Sequence, residues 1–402
     1  MLNIYDLLRN HEKLISESIP LIASENITSL LVRACLLSDF GHRYAIGEVG
    51  ERVYSGCQYI DQVERLAIEL SKKLFKADYV NVRAISGTVA NLAIYTALSH
   101  PGGKIAAVPV EFGGHTSHFD TAEVRGLKTI KLPFSPENFN VNTDEAEKLI
   151  RKERPEIVML GASVILFPHP VKELSEVCND VGATLVYDAS HVLGLIAGKK
   201  FQDPLKEGAK IVTASTHKTF PGPQRAVIIG RELGELIKRI DRAVMPGVVS
   251  NHHLHSLAAY VVACMEMIEF GESYARQIVR NSKALAERLY ELDFKVVGEN
   301  IGFTETHQVV FEGSAKDQLL LERAGIFVNV WPSTSLVRVG VQEVTRRGMR
   351  EEEMRHIADL MYMCLKGNDV REEVRELAME FDKIHYSFSV DKAYLRDFDF
   401  KI

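Results

Sequence analysis

The sequence predicts an α/β protein with a mostly parallel sheet and a second, smaller α+β domain. From Tyr79 to about residue 230, short β-rich runs alternate with stretches of helical periodicity. This alternation is typical of a parallel sheet that is covered by helices on both faces. The chain has 402 residues, which is too long for one simple core. We therefore expect a large domain followed by a smaller one.

The elements of the large domain follow in order. Residues 1–40 have a helical pattern interrupted by a turn, and apolar residues recur at helical spacing within residues 61–75. The β-rich runs of the predicted sheet then begin at Tyr79, Ile105, Ile157, Thr184 and Ile211. A long helical region over about residues 255–292 ends this part of the chain.

The remaining residues predict the smaller domain. Short β-rich runs begin at Phe294, His307 and Gly325, and a helix is expected from Arg350 to Leu365. The charged segment after residue 367 is expected to begin as a helix. The predicted organisation is therefore an N-terminal helical arm (1–40), a large domain (41–265) and a small C-terminal α+β domain (266–402).

Composition excludes several classes of protein. Hydrophobic residues make up 46% and charged residues 25%, as in an ordinary soluble globular protein. The net charge is −6 and no block of Lys or Arg stands out, so neither nucleic acid nor a membrane is expected as a partner. Residues 1–15 are amphipathic and lack the apolar core of a signal or membrane span. Five scattered cysteines without a Cys-x-x-Cys pair predict a reduced, cytoplasmic protein with no metal site.

Lys218 and Asp188 carry the strongest functional signal. Lys218 lies within the segment Thr213–Gln224, after a β-rich run and before a Pro/Gly turn. A lysine at such an edge is more often an ordinary exposed cation. About thirty residues upstream, however, a hydrophobic strand delivers Asp188 and then His191. A carboxylate at a strand end, followed by Lys in Thr-His-Lys-Thr, suggests a pyridoxal phosphate site. There the lysine forms the Schiff base and the aspartate keeps the pyridinium nitrogen protonated.

Ser86, Gly87 and Thr88 form a candidate phosphate site. They follow a β-rich run and open the apolar helix predicted over residues 89–98. Glycine lets backbone amides approach a phosphate, the hydroxyls donate, and a helix N-terminus favours an anion. Such a triplet is usually only a helix cap. Its position ahead of Asp188 and Lys218 favours the phosphate site.

These segments resemble those of serine hydroxymethyltransferases. The matching stretches include Leu-Ile-Ala-Ser-Glu-Asn (21–26), Tyr-Ser-Gly-Cys-Gln-Tyr-Ile-Asp (54–61), Ser-Gly-Thr-Val-Ala-Asn (86–91) and the segment around Lys218. They run from about residue 21 to 349 in the order of that family. The resemblance implies the pyridoxal-phosphate-dependent transferase fold of type I, with a mostly parallel seven-stranded sheet in the large domain and pyridoxal 5'-phosphate as cofactor.

The resemblance also assigns residues to the cofactor. His115 matches the histidine that stacks on the ring and is a candidate proton carrier. Ser163 matches the residue that bonds the phenolic oxygen, although the sequence around it has diverged. The other residues that the resemblance places at the cofactor are Tyr44, His191, Thr216 and His217.

Three further residues are assigned to a small α-amino acid substrate. Arg338 matches the arginine that grips the substrate carboxylate through its planar fork, whereas strand arginines are more commonly solvent-facing. Ser24 and Tyr54 would help to hold the same carboxylate, and Tyr54 joins Lys218 and His115 as a catalytic candidate. Because Tyr44 and Tyr54 reach the neighbouring subunit in this family, the resemblance implies an obligate homodimer.

Ile46 is the most important departure from the family. It occupies the place of a glutamate that is central to one-carbon transfer with folate, and isoleucine can neither accept nor donate a proton. Glu48 lies two residues further on, in the wrong register for that role. The sequence therefore argues against folate coupling and leaves the use of a folate or pterin open.

Three other departures either also argue against folate coupling or leave that question undecided. The loop before Arg338, residues 330–336, is shorter than the family's pterin-contacting loop. A glycine pair that serves the phosphate is replaced within residues 247–253, where Ser250 and Asn251 could still donate. Val341 and Gln342 replace the family's Thr-Pro. Residues for the cofactor and the carboxylate are kept, while those for folate are altered.

The favoured function is aldol or retro-aldol cleavage at the Cα–Cβ bond, with serine or threonine converted to glycine. The alternatives are another reaction at Cα, namely racemisation, transamination or β-replacement, and a non-catalytic homologue that binds the cofactor. A nucleotide site has little support because no Gly-x-Gly-x-x-Gly or Walker pattern opens the first helix. The cluster His252, His253 and His255 lacks the carboxylate pattern of a catalytic metal site.

Overall fold

The computed structural model describes residues 3–331 and 334–390. Its described residues form two compact units. The larger unit contains residues 28–272, joined by residues after 386, and the smaller one combines residues up to 27 with 273–386. The sequence predicted a separate arm over residues 1–40. The structure instead groups residues up to 27 with the smaller unit and residues 28–40 with the larger unit.

The helices are named in chain order. They are α1 (Ile4–Ser16), α2 (Leu30–Leu36), α3 (Gln58–Phe75), α4 (Gly87–Leu98), α5 (Asp120–Val124), α6 (Thr143–Glu153), α7 (Val171–Val181), α8 (Leu193–Ala197), α9 (Pro204–Glu207), α10 (Leu236–Arg242), α11 (Leu254–Glu291), α12 (Ala315–Arg323), α13 (Gln342–Arg346), α14 (Glu351–Leu365) and α15 (Arg371–Glu380). The boundary between the two units falls within α11.

The strands are also named in chain order. They are β1 (Ile19–Pro20), β2 (Gly47–Glu48), β3 (Glu51–Arg52), β4 (Tyr79–Asn81), β5 (Lys104–Ala107), β6 (Lys128–Lys131), β7 (Phe134–Ser135), β8 (Asn140–Val141), β9 (Ile157–Leu160), β10 (Thr184–Asp188), β11 (Ile211–Ser215), β12 (Ala226–Gly230), β13 (Gln308–Glu312), β14 (Ile326–Phe327), β15 (Asn329–Val330) and β16 (Leu336–Gly340).

The larger unit is built on a seven-stranded sheet. Its strand order is β4-β12-β11-β10-β9-β5-β6. Strand β12 is antiparallel to both of its neighbours, and the other pairs are parallel, so six strands run in one direction. Strands β9, β11 and β12 are buried along their whole length, as expected for a sheet covered on both faces. The predicted mostly parallel sheet is confirmed.

Helix α4 shows how sequence and packing agree in this unit. Ser86 caps it by accepting a bond from the Val89 N–H at 3.2 Å. Half of its twelve residues are buried, and the helix packs against β11, β12 and α10. The one polar side chain buried within it, Asn91, is only 1% exposed and therefore needs bonding partners in the interior.

The smaller unit contains a three-stranded sheet of order β13-β16-β15 and a parallel pair, β1 with β14. Several hydrogen bonds attach the N-terminal turn to this unit. The Gly340 N–H donates to the Leu21 carbonyl at 2.8 Å, His307 Nε2 lies 3.1 Å from the Ala23 carbonyl, and Gln342 Nε2 donates to the Ile22 carbonyl at 2.8 Å. The strand expected from Phe294 is reduced to one bridge, between Val296 and Phe311.

Among the described residues, one helix is long and apolar enough to cross a membrane by length and composition. This helix is α11, and 61% of its most apolar window is buried inside the protein. A buried core helix passes the same test, so α11 gives little support for a membrane span.

Gly161 and Gly182 offer a test of the packing next to β10. Both have positive φ, at +91° and +77°. A Cβ on Gly161 would lie 2.0 Å from the Asp188 carbonyl oxygen, whereas one on Gly182 would meet nothing within 4 Å. We expect Gly182→Ala to lower the free energy of unfolding by about 1–2 kcal/mol, from backbone strain alone.

Gly161→Ala should lower that free energy by about 1–3 kcal/mol more, because the backbone at the end of β10 must move. Urea-induced unfolding followed by circular dichroism measures both variants. Equal losses would contradict the close approach of the two backbones.

Candidate active site

Five loops meet at the carboxyl edge of the parallel strands around one cavity of about 220 Å³. These loops follow β4, β5, β9, β10 and β11, and such an edge is where open α/β sheets bind ligands. The cavity is lined by Ser86, Gly87, Thr88, Asn91, His115, Ala162, Ser163, Asp188, Ser190, His191, Ser215, His217 and Lys218.

One end of the cavity suits an anion. Ser86, Gly87 and Thr88 stand at the N-terminus of α4, where backbone N–H groups and the helix dipole favour negative charge. A Cβ on Gly87 would lie 2.6 Å from Ser215 Oγ and 3.3 Å from Ser190 Oγ. Only glycine therefore allows the helix start to approach these two hydroxyls.

Asp188 ends β10 as a buried carboxylate that is fully engaged. Its Oδ2 lies 3.1 Å from His118 Nε2 and accepts from Asn91 Nδ2 at 2.9 Å, while Oδ1 accepts from the Ser190 N–H at 3.0 Å. Burial opposes ionisation of Asp188. The bond and charge of His118 and the bond from Asn91 outweigh burial and hold its pKa well below the usual range. Asp188 is therefore an anion at neutral pH.

Lys218 is buried in a loop that its neighbours hold in place. Thr216 Oγ1 donates to the Pro223 carbonyl at 2.7 Å, and Thr219 Oγ1 donates to the His191 carbonyl at 2.8 Å. Thr216 does not line the cavity and instead fixes the loop that carries the lysine. Beside Lys218, burial, together with the lysine charge, lowers the pKa of His217 to about 4.

Arg338 lies in the smaller unit, on β16. Asn329 Oδ1 accepts from its Nε at 3.3 Å and from its Nη2 at 3.2 Å. Burial lowers the pKa of Arg338 to about 10, so it remains a cation at neutral pH. The partner on this edge of the guanidinium is a neutral amide. In the preceding loop, Pro332 and Ser333 lie outside the described residues.

The two tyrosines, Ile46 and Glu48 lie in the larger unit. Tyr44 and Tyr54 are 49% and 44% exposed, with ring centroids 5.6 Å apart, and neither lines the cavity. Glu48, the candidate substitute at the Ile46 position, is paired with Arg83 at 2.9 Å. Asn251, a candidate phosphate donor, uses its Nδ2 on the Arg43 carbonyl at 3.0 Å.

The structure thus brings together nine of the residues predicted for the cofactor, namely Ser86, Gly87, Thr88, His115, Ser163, Asp188, His191, His217 and Lys218. Sequence reasoning missed Asn91 and His118, which both contact Asp188. A polar residue inside the apolar run of α4 was the available signal for Asn91. No spacing rule singled out His118.

Comparison with known proteins identifies the family. A sequence profile of serine hydroxymethyltransferase matches residues 2–361. The chain belongs to the serine hydroxymethyltransferase family. A serine hydroxymethyltransferase from Archaeoglobus fulgidus is 54% identical over 413 aligned positions, which cover 98% of this chain and 94% of the relative. One from Pyrococcus furiosus is 49% identical and covers 96% of each chain.

A solved structure agrees with this family. The crystal structure of an L-threonine transaldolase from Pseudomonas fluorescens, in its internal aldimine state, matches with a TM-score of 0.91 and 32% identity. The match covers 98% of this chain and 95% of that one. The predicted fold type I and the serine hydroxymethyltransferase-like chemistry at Cα are confirmed. This member of the family is a pyridoxal-phosphate-dependent enzyme of the transferase or aldolase type.

His169 predicts an acid-sensitive step in stability. It is buried beside the site, where its Nδ1 accepts from the Gly161 N–H at 3.1 Å, and burial lowers its pKa to about 4. In the unfolded chain the value is ~6.5, so between these values only the unfolded state takes up the proton. The contribution of His169 is thus complete above pH ~6.5 and is lost as pH falls to about 4, by up to ~1.4 kcal/mol per pH unit.

His169→Gln should therefore flatten the pH dependence of the thermal midpoint within this window. The exposed His100 provides the matched control, His100→Gln, which should keep the wild-type slope. Parallel slopes for all three proteins would show that His169 takes up its proton equally in both states.

Proposed function

We propose that this enzyme binds pyridoxal phosphate in the 220 Å³ cavity and cleaves or forms the Cα–Cβ bond of small β-hydroxy-α-amino acids, converting serine or threonine to glycine. The observation that carries the proposal is the combination in one cavity of a buried lysine, an ionised buried carboxylate and a glycine-containing helix N-terminus. Each of these groups suits one part of that cofactor: the lysine its aldehyde carbon, the carboxylate its ring nitrogen and the helix N-terminus its phosphate.

The residues present fit the cofactor. Ser86, Gly87 and Thr88 would hold its phosphate, Lys218 would hold its aldehyde carbon, and Asp188 would keep a proton on its ring nitrogen. Asn91, which contacts Asp188, lies one helical turn, or ~6 Å, beyond Gly87 along α4. When bound, pyridoxal phosphate supplies an electron sink for the pair left at Cα.

The amino acid is recognised, in this proposal, by its carboxylate. Arg338 presents a planar fork whose geometry matches a carboxylate, and Asn329 fixes the fork along its Nε–Nη2 edge. Asn329 Nδ2 in turn donates to the Val330 carbonyl at 3.4 Å, which sets the orientation of the amide. We assign Ser24 and Tyr54 to the same carboxylate, as the family resemblance implies.

We also infer that cleavage of the Cα–Cβ bond does not depend on a folate or pterin. Ile46 offers no proton, and the carboxylate of Glu48 is held by Arg83 through bonds of 2.9 and 3.3 Å. Of the two acidic side chains in the hairpin of β2 and β3, Glu48 is paired with Arg83, whereas Glu51 is exposed.

We also propose that the enzyme is a homodimer. Tyr44 and Tyr54 are exposed side by side on the larger unit, as expected for residues that a second copy would cover. Light scattering after size exclusion gives the mass in solution, and a monomer would argue against this part of the proposal.

Absorbance spectroscopy tests the proposed chemistry. We expect purified enzyme to show a cofactor band that Lys218→Ala alters, and glycine, serine and threonine should each change the spectrum. Product glycine should form from serine or threonine without tetrahydropterin. A response that grows only when the pterin is added would contradict folate independence. An unchanged cofactor band in Lys218→Ala would contradict the proposed role of the lysine.

Asn329 tests the recognition of the carboxylate. In Asn329→Asp, a carboxylate would neutralise Arg338 and compete with the substrate, so KM for serine should rise at least about tenfold. Asn329→Ala only loosens the fork and should raise KM less than Asn329→Asp does. Steady-state kinetics measures both variants, and Arg338→Ala serves as the reference for complete loss. A smaller effect of Asn329→Asp than of Asn329→Ala would contradict the charge argument.

A further inference from the structure

The side-chain amide of Asn91 joins the two sides of the candidate active site. Its Nδ2 lies 2.9 Å from Asp188 Oδ2 and 3.0 Å from Ser117 Oγ. Its Oδ1 lies 2.7 Å from Thr213 Oγ1. Ser117 Oγ in turn lies 2.7 Å from His115 Nδ1. One buried amide therefore contacts the carboxylate of the site directly and the cavity-lining histidine through a hydroxyl.

The charge of Asp188 decides which way this amide is turned. An ionised carboxylate only accepts hydrogen bonds, so the Asn91 atom that faces it must be the nitrogen. The oxygen then faces Thr213, whose hydroxyl donates to it. An amide nitrogen carries two protons, and these serve Asp188 and Ser117, one each.

The direction of the Ser117 hydroxyl follows from this orientation. Its oxygen accepts from Asn91, so its own proton is available for His115 Nδ1 at 2.7 Å. The backbone N–H of Ser117 also donates to His115 Nδ1, at 3.1 Å. A proton on Nδ1 would face that fixed backbone N–H. Nδ1 is thus an acceptor, and the single proton of a neutral imidazole lies on Nε2.

We propose that Asn91 and Ser117 are positioning residues that hold His115 as the neutral tautomer with its proton on Nε2. Any contact that Nε2 makes with a bound amino acid is then made as a donor. His115 consequently does not take the proton from the substrate β-hydroxyl, and that proton leaves to another acceptor, such as a water. The proposal rests on the proposed function only for this last consequence. The tautomer itself is set by contacts within the protein and does not depend on a substrate.

Nuclear magnetic resonance reads the tautomer without reference to activity. Protein labelled with ¹⁵N-histidine gives long-range ¹H–¹⁵N correlations for both ring nitrogens, and His115→Gln identifies the signal among the 14 histidines. At neutral pH we expect a protonated Nε2 and a bare, hydrogen-bonded Nδ1, both before and after loading with pyridoxal phosphate. A proton on Nδ1, or on both nitrogens, would overturn the proposal.

Ser117→Ala and Asn91→Leu test the relay. Ser117→Ala removes the hydroxyl donor and should shift the Nδ1 resonance, and Ser117→Thr should restore it. Asn91→Leu removes the donor to the Ser117 hydroxyl and should also shift the Nδ1 resonance, while the proton stays on Nε2 because the Ser117 N–H still faces Nδ1. Ser99→Ala is the matched control, because Ser99 Oγ is buried without a partner among the described residues. A His115 signal that is unchanged in Ser117→Ala would remove Ser117 from the relay.

Kinetics separates this proposal from the proposed function. Ser117→Ala should lower kcat for threonine cleavage about tenfold, the value of one hydrogen bond, while KM stays within about twofold. A rise in KM without a fall in kcat would contradict a role at the reacting atoms. If the wild-type enzyme cleaves no β-hydroxy amino acid, the proposed function fails, yet the resonance experiment still decides the tautomer.

Discussion

The buried carboxylate of Asp188 is the interaction on which the site depends. An ionised carboxylate taken out of water costs several kcal/mol unless hydrogen bonds and charges replace its hydration. Here His118, Asn91 and the Ser190 N–H provide that replacement. Because the charge of Asp188 is fixed, it also sets the orientation of Asn91 and, through Ser117, the tautomer proposed for His115. One electrostatic constraint thus orders polar groups on two sides of the cavity.

The sheet explains why these groups come together. Parallel strands end at one edge, so loops that are distant in sequence converge there. The close approach of Gly161 to the Asp188 carbonyl shows how tightly β9 and β10 end side by side, since no side chain fits between them. Lys218 follows the next strand, β11, and its loop is tied back to His191 by Thr219. The geometry of the cavity is therefore a property of the larger unit's backbone.

Periodicity and motif spacing predicted the parallel sheet and most residues around the cavity. Lys218, Asp188 and Ser86 could be found because each stands at a strand end or helix start, where sequence signals are local. His118 could not be found in this way, since its role arises from a contact across 70 positions of sequence. The strand expected from Phe294 failed for a related reason, because pairing partners decide whether an apolar run becomes a strand.

Glu48, the candidate substitute for the family glutamate, belongs to a network of ion pairs. Glu48 pairs with Arg83, and Arg83 pairs with the buried Glu64 at 2.7 Å. Glu64 also binds Arg52, which holds Asp61 at 2.7 Å, so the hairpin of β2 and β3 is joined to α3 by linked ion pairs. Glu48 is 71% exposed, so its pair with Arg83 contributes little, and the buried pairs of Arg52 with Glu64 and Asp61 attach the hairpin to α3.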